Sequence, residues 1–104
     1  MKNILKLLYA KYLERKFLIN FYKHIQSYKM SDAKLYSKSL DGMNKIVQRI
    51  PKALLFSNND KILDIIESMD IVLELAESLK HSKICRDDRI TILQDIYQTY
   101  KPIK

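Results

Sequence analysis

Very little in this chain punctuates a fold. It has one glycine, two prolines, one cysteine and no tryptophan in 104 residues. All-β sandwiches and barrels turn every ~8–12 residues, usually at Gly, Pro or Asn, so that class is set aside. The clustered glycines of phosphate-binding loops and dinucleotide-binding fingerprints are missing too. Cys85 has no second cysteine to pair with, and one cysteine with two histidines does not make a typical zinc site. No cofactor or metal is therefore expected, and a reducing, cytoplasmic compartment is. No run of ~18 uncharged apolar residues suggests a membrane span. The apolar start, Met1 to Leu8, is broken by Lys2 and Lys6 and followed by Lys11 and Lys16. That is not the uninterrupted core of a signal peptide.

What is present suits one globular domain over residues 1–104. Hydrophobic residues make up 47% and charged residues 30%, a balance able to bury a core. Two domains of half this length would each bury too little surface.

The spacing of apolar residues predicts four helices, at about 3–29, 32–50, 59–81 and 87–100, and hence an all-α, antiparallel four-helix bundle. In the first, Leu7, Leu18, Ile25, Ile4, Tyr22, Leu8, Ile19, Tyr12 and Leu5 cover a wide arc. Opposite lie Lys2, Lys6, Lys16, Asn20, Lys23, His24, Ser27 and Lys29, with Leu13 and Phe17 at the edge of this basic face. The second helix opens at the cap signal Ser31-Asp32. Its stripe, Ala33, Tyr36, Leu40, Met43, Val47 and Ile50, runs straight through Asp41-Gly42. Gly42 is therefore placed inside the helix, with a turn at Asp-Gly as the alternative. Pro51 ends it. Asn58 and Asn59 can cap the third helix, whose stripe is Ile62, Ile66, Met69, Leu73 and Ala76, widened by Ile65, Val72 and Leu79. Asp87 and Asp88 suit the positive end of the fourth. Its stripe is Ile90, Leu93, Tyr97 and Tyr100, and Lys101-Pro102 stops it.

Charge is divided along the chain. Residues 1–56 carry a net +9 and residues 57–104 a net −2, giving +7 in all. In helix two, Lys34, Lys38, Lys45, Arg49 and Lys52 fall opposite the apolar stripe. In helix three, Asp64, Glu67, Asp70, Glu74 and Glu77 make an acidic line. A solvated face explains either line alone. Two same-sign stripes on adjacent helices repel one another, and a phosphate backbone relieves that repulsion with release of counterions. In a homo-oligomer, the acidic line could meet a neighbour's basic line. Five of the seven tyrosines lie in the basic half. Tyr12, Tyr22 and Tyr36 are assigned to the core. Tyr9, near the basic face, is the candidate for stacking on a base.

No catalytic constellation emerges. His24 is read as a polar-face residue and His81 as a helix-end residue. Cys85 is read as a small packing residue. The acids of helix three lack the Glu-x-x-His pairs of di-metal bundles.

The joint Ile50-Pro51-Lys52-Ala53-Leu54-Leu55-Phe56-Ser57-Asn58-Asn59-Asp60-Lys61-Ile62 resembles that of the accessory variability determinant (Avd) proteins of diversity-generating retroelements. The four-helix proteins encoded in ribosomal RNA intervening sequences are similar. In those, an apolar residue and Pro-Lys end one helix, and a Phe precedes the basic-apolar pair opening the next. Pro51, Lys52, Phe56, Lys61 and Ile62 keep that order, and Tyr36-Ser37-Lys38 is similar to the family's helix start. The chain has Leu55 where the family has Arg, Asn58-Asn59 where it has Leu-Gly, and no Trp-containing ending. The resemblance implies a four-helix bundle, a ring-like homo-oligomer, and binding of RNA or DNA together with a reverse transcriptase. It carries over Lys52 and Lys38 as basic surface positions.

The leading expectation is a non-enzymatic, nucleic-acid-binding accessory protein. Lys34, Lys38, Lys45, Arg49 and Lys52 would hold phosphate, assisted by Lys16, Lys23 and Tyr9. The alternative is a basic helical interaction module, such as a bacteriocin immunity protein or a phage-encoded inhibitor. Membrane-surface binding by helix one ranks third, because its apolar arc is assigned to the core.

Overall fold

The computed structural model describes residues 2–100, with side chains from Ile4 onward. All its regular elements are α-helices: α1 (Lys2–Met30), α2 (Ala33–Gln48), α3 (Lys52–Leu55), α4 (Asp60–Lys80) and α5 (Arg86–Tyr100). The four long helices fall within a residue or two of the expected spans. The addition is α3, a single turn inside the joint after α2. The proposed stop at Lys101-Pro102 lies outside the described residues.

Local chemistry explains the boundaries. Ser31 takes a φ of 51°, the left-handed position that closes a helix, while the Asp32 N–H donates to the Ser27 carbonyl at 3.0 Å. That is a Schellman closure built on serine instead of glycine. Asp32 then caps α2, its carboxylate accepting from the Leu35 N–H at 3.0 Å. The helix runs through Gly42 without a turn. Pro51 stands at the start of α3, and its carbonyl accepts from the Leu54 N–H at 2.9 Å. Asn59 caps α4 through the Lys61 N–H at 2.9 Å.

The length of α1 sets the molecule's long dimension. Twenty-nine residues at ~1.5 Å each give about 43 Å, against an extent of 47 Å. α1 packs against α2, α3, α4 and α5, so the core is built along one of its sides. The backbones of α2 and α5 make no close approach to one another among the described residues. The stripes of α4 and α5 fall inside as expected: Ile62, Met69, Leu73, Ala76, Leu93 and Tyr100 are buried.

The buried side of α1 is not the expected one. Ala10, Leu13, Phe17, Phe21, His24 and Tyr28 line the core. Most of the arc assigned to the core, including Ile4, Leu5, Leu8, Tyr12, Ile19 and Tyr22, faces solvent. Leu18 and Ile25 are the members of that arc which are buried. The reason is composition. Apolar residues occur all round this helix, so periodicity alone does not choose a side. Burying Phe17 and Phe21 removes two of the largest apolar side chains from water, at roughly 1.5–3 kcal/mol each.

Two polar groups enter the core with the aromatic side. His24 is fully buried (0% exposed) between the rings of Tyr28 and Tyr36, with ring centroids 5.4 and 4.9 Å away. Its Nδ1 lies 3.3 Å from Ser39 Oγ, and the Ser39 hydroxyl donates to the Tyr36 carbonyl. Nε2 is buried without a hydrogen-bond partner. Burial lowers the His24 pKa to about 4, outweighing a raising hydrogen bond to the Tyr36 backbone. Glu14, the acid of α1, is also buried and accepts a 3.0 Å hydrogen bond from the Tyr100 hydroxyl. Burial, reinforced by that carboxylate, pushes the Tyr100 phenol up.

Candidate nucleic-acid interface

Every cation assigned to the interface is exposed: Lys34, Lys38 and Lys45 on α2, Arg49 at its end, Lys52 at the start of α3, and Lys16 and Lys23 on α1. The α2 face follows from its strongly one-sided sequence. Leu40 and Met43 are buried while Lys34, Lys38 and Lys45 point the other way. The row is not purely basic. Asp41 lies on the same face and pairs with Lys45 at 3.0 Å, both side chains being more than half exposed. Asp32 and Asp41 also border the open depression beside Lys34 and Lys38. Lys45 is thus partly neutralised by its own subunit. An exposed pair of this kind contributes at most ~1 kcal/mol and is readily exchanged for a stronger partner.

The two helices meet at a point that sequence reasoning did not locate. Gly42 of α2 lies directly against Asn20 of α1: a Cβ added there would come within 2.5 Å of Asn20 Oδ1. Lys16 and Lys23 stand one turn to either side of Asn20, and Lys38 and Lys45 one turn to either side of Gly42. The Asn20 carboxamide fills the space beside Gly42, and four exposed cations flank that contact, two on each helix. Arg49 lies seven residues beyond Gly42 on the same side. Lys34 and Lys52 extend the row toward its two ends.

Tyr9 is exposed, as expected of a ligand contact, and stacks on Tyr12 with centroids 6.1 Å apart and planes 17° apart. The Lys16 ammonium lies 5.3 Å over the Tyr12 ring. Tyr12 and Tyr22, assigned to the core by their spacing, are half-exposed instead. Tyr12 thus joins Tyr9 and Lys16 as a candidate contact. The signal for it was the i, i+3 and i, i+4 spacing of the three residues.

Two other assignments change. His24 belongs to the core and not to the polar face. Cys85 is exposed between α4 and α5, and does not serve as a packing residue. Of the acidic line, Asp64, Glu67, Asp70 and Glu74 are exposed and Glu77 is half-buried.

Among the described residues, the Lys45–Asp41 contact is the one salt bridge, and no group of three or more His, Cys, Asp or Glu is placed to hold a metal ion. No described helix is long and apolar enough to cross a membrane. Comparison with protein-family models, with curated proteins and with solved structures finds no match to this chain.

Proposed function

We propose that the chain is a non-enzymatic accessory protein that binds RNA or DNA through the cations around the α1–α2 seam, its four long helices forming an antiparallel bundle. The observation that carries this reading is the Asn20–Gly42 approach, which sets Lys16, Lys23, Lys38 and Lys45 around one contact with Asp41 as the sole carboxylate paired among them. Concentrated positive charge costs the folded state self-repulsion. A phosphate backbone removes that cost and releases condensed counterions. Exposed cations of this kind neutralise phosphate whatever the base, so the proposed binding is electrostatic and not sequence-specific. The stacked Tyr9 and Tyr12 offer an aromatic face to an unpaired base. The resemblance to Avd proteins adds a reverse transcriptase as the protein partner.

Fluorescence anisotropy with labelled single-stranded RNA and duplex DNA, at low and then moderate salt, tests the reading. Binding at low salt that weakens steeply as salt rises is expected for both polymers. Absence of binding at low salt, or affinity indifferent to salt, refutes it.

A further inference from the structure

A groove of about 310 Å³ lies between α1 and α5, lined by Arg15, Leu18, Ile19, Tyr22, Lys23 and Tyr97. Leu18 is its buried member, while Ile19 and Tyr22 are each 50% exposed. Tyr97 is half-buried, with its ring centroid 5.7 Å from that of Phe21 and 5.9 Å from that of Tyr22. Contact with Phe21 in the core holds the Tyr97 ring, which in turn backs Tyr22. Arg15 and Lys23 are exposed, and no carboxylate is among the lining residues.

Two phenol rings, two aliphatic side chains and two cations suit one kind of ligand, a flat base carried between phosphates. Any base has a π-face that stacks on an aromatic ring. The volume falls at the small end of the ~300–1,000 Å³ of ligand pockets. Position makes the groove part of a longer track. Lys23 lines it and also flanks the Asn20–Gly42 contact. At 100° per residue, Lys16 and Lys23 lie on the arc of α1 between Asn20, which meets α2, and Tyr22, which meets α5. A backbone held by the seam cations therefore passes the mouth of the groove.

We infer, resting on the nucleic-acid reading, that this groove takes one unpaired base of single-stranded RNA or DNA, stacked on Tyr22, with Lys23 and Arg15 holding phosphates to either side of it. Tyr12 and Tyr22 are ten residues apart, ~15 Å along the helix, so the groove is a stacking position separate from the Tyr9–Tyr12 pair. A base within a duplex is hidden in the stack and reaches such a groove only by unpairing, at a cost. Single strands are therefore the preferred ligand, and duplexes are held through phosphate alone.

The test uses the full chain and a short oligouridine with 2-aminopurine at its centre, a base whose fluorescence is quenched when it stacks. Anisotropy of a dye at the end of the strand reads affinity independently. The wild type is expected to quench the 2-aminopurine and to bind the single strand more tightly than a duplex of equal length. Tyr22→Leu keeps an apolar side chain at an exposed position. It is expected to lose the quenching and to bind the single strand roughly 5- to 150-fold more weakly, with duplex affinity unchanged. Tyr22→Phe, which keeps the ring, is expected to retain both properties, and circular dichroism verifies the fold of each variant. Quenching that survives Tyr22→Leu overturns the inference, and its loss in Tyr9→Leu with Tyr12→Leu then assigns the stacking to that pair. Equal wild-type affinity for single strand and duplex overturns the inference and leaves the electrostatic reading standing, whereas absence of binding to either polymer overturns both. Displacement of the oligonucleotide by adenosine monophosphate at the same nucleotide concentration overturns it in favour of a site for free nucleotides.

Discussion

Acidification should destabilise this protein through a single imidazole. His24 is wholly buried against Tyr28, Tyr36 and Ser39, with Nε2 facing no acceptor. Protonation would place a charged N–H in that site, so burial lowers the pKa from the ordinary 6.5 to about 4. The unfolded chain then binds this proton more readily than the folded one. Stability from this residue is complete above about pH 6.5 and is lost as pH falls toward 4. At 1.36 kcal/mol per pH unit, the loss reaches roughly 3 kcal/mol, a large part of the 5–15 kcal/mol typical of a domain. Urea denaturation followed by circular dichroism, repeated from pH 7.5 to pH 4, measures it. Carboxylates titrate in the same range, so the comparison is with His24→Phe, which keeps an aromatic ring and removes the titration. The wild type should lose roughly 3 kcal/mol more than the variant across this interval. Parallel pH dependences for the two proteins would show that His24 does not carry the acid sensitivity, whatever their absolute stabilities.

Other outcomes follow from the same contacts. Tyr100→Phe removes the donor to the buried Glu14 carboxylate and should cost about 1–3 kcal/mol in chemical denaturation. Glu14→Met combined with Tyr100→Phe should recover much of that loss, because neither polar partner is then left alone. Gly42→Ala should gain up to ~1 kcal/mol of helix propensity, offset by displacement of the Asn20 carboxamide from its 3.0 Å hydrogen bond to the Lys16 carbonyl. In an Asn20→Ala background the gain should be larger, and destabilisation there would show that the backbones themselves cannot separate. Replacing Lys16, Lys23, Lys38 and Lys45 with Gln should leave the thermal midpoint unchanged or slightly raised, since these exposed cations repel one another.

Helix positions were legible because the chain writes them in residues that act locally. Asp32 and Asn59 satisfy N–H groups two or three residues away, and Pro51 restricts its own neighbour. The outward face of α2 was legible for a similar reason, since its apolar and basic residues segregate cleanly. The orientation of α1 was not, because its apolar residues surround the axis and the choice of side depends on the four other helices. Nor could sequence spacing place His24 or Glu14. Their partners, Ser39 and Tyr100, lie 15 and 86 residues away. The seam of the candidate site was hidden similarly. Gly42 is legible as a helical glycine, but that the Asn20 carboxamide fills the space beside it depends on how α1 and α2 pack. The Cys85 assignment followed the usual burial of free cysteine, which a connecting segment does not enforce.

The proposed function requires the cations around the Asn20–Gly42 contact to hold phosphate. The slope of log affinity against log salt counts the phosphates neutralised, at about −0.7 each on single-stranded nucleic acid. For single-stranded RNA, the wild type should give a slope near −3 to −5, and the variant carrying Gln at positions 16, 23, 38 and 45 should be shallower by about 2–3. A slope that stays the same after those four charges are removed would contradict the claim directly.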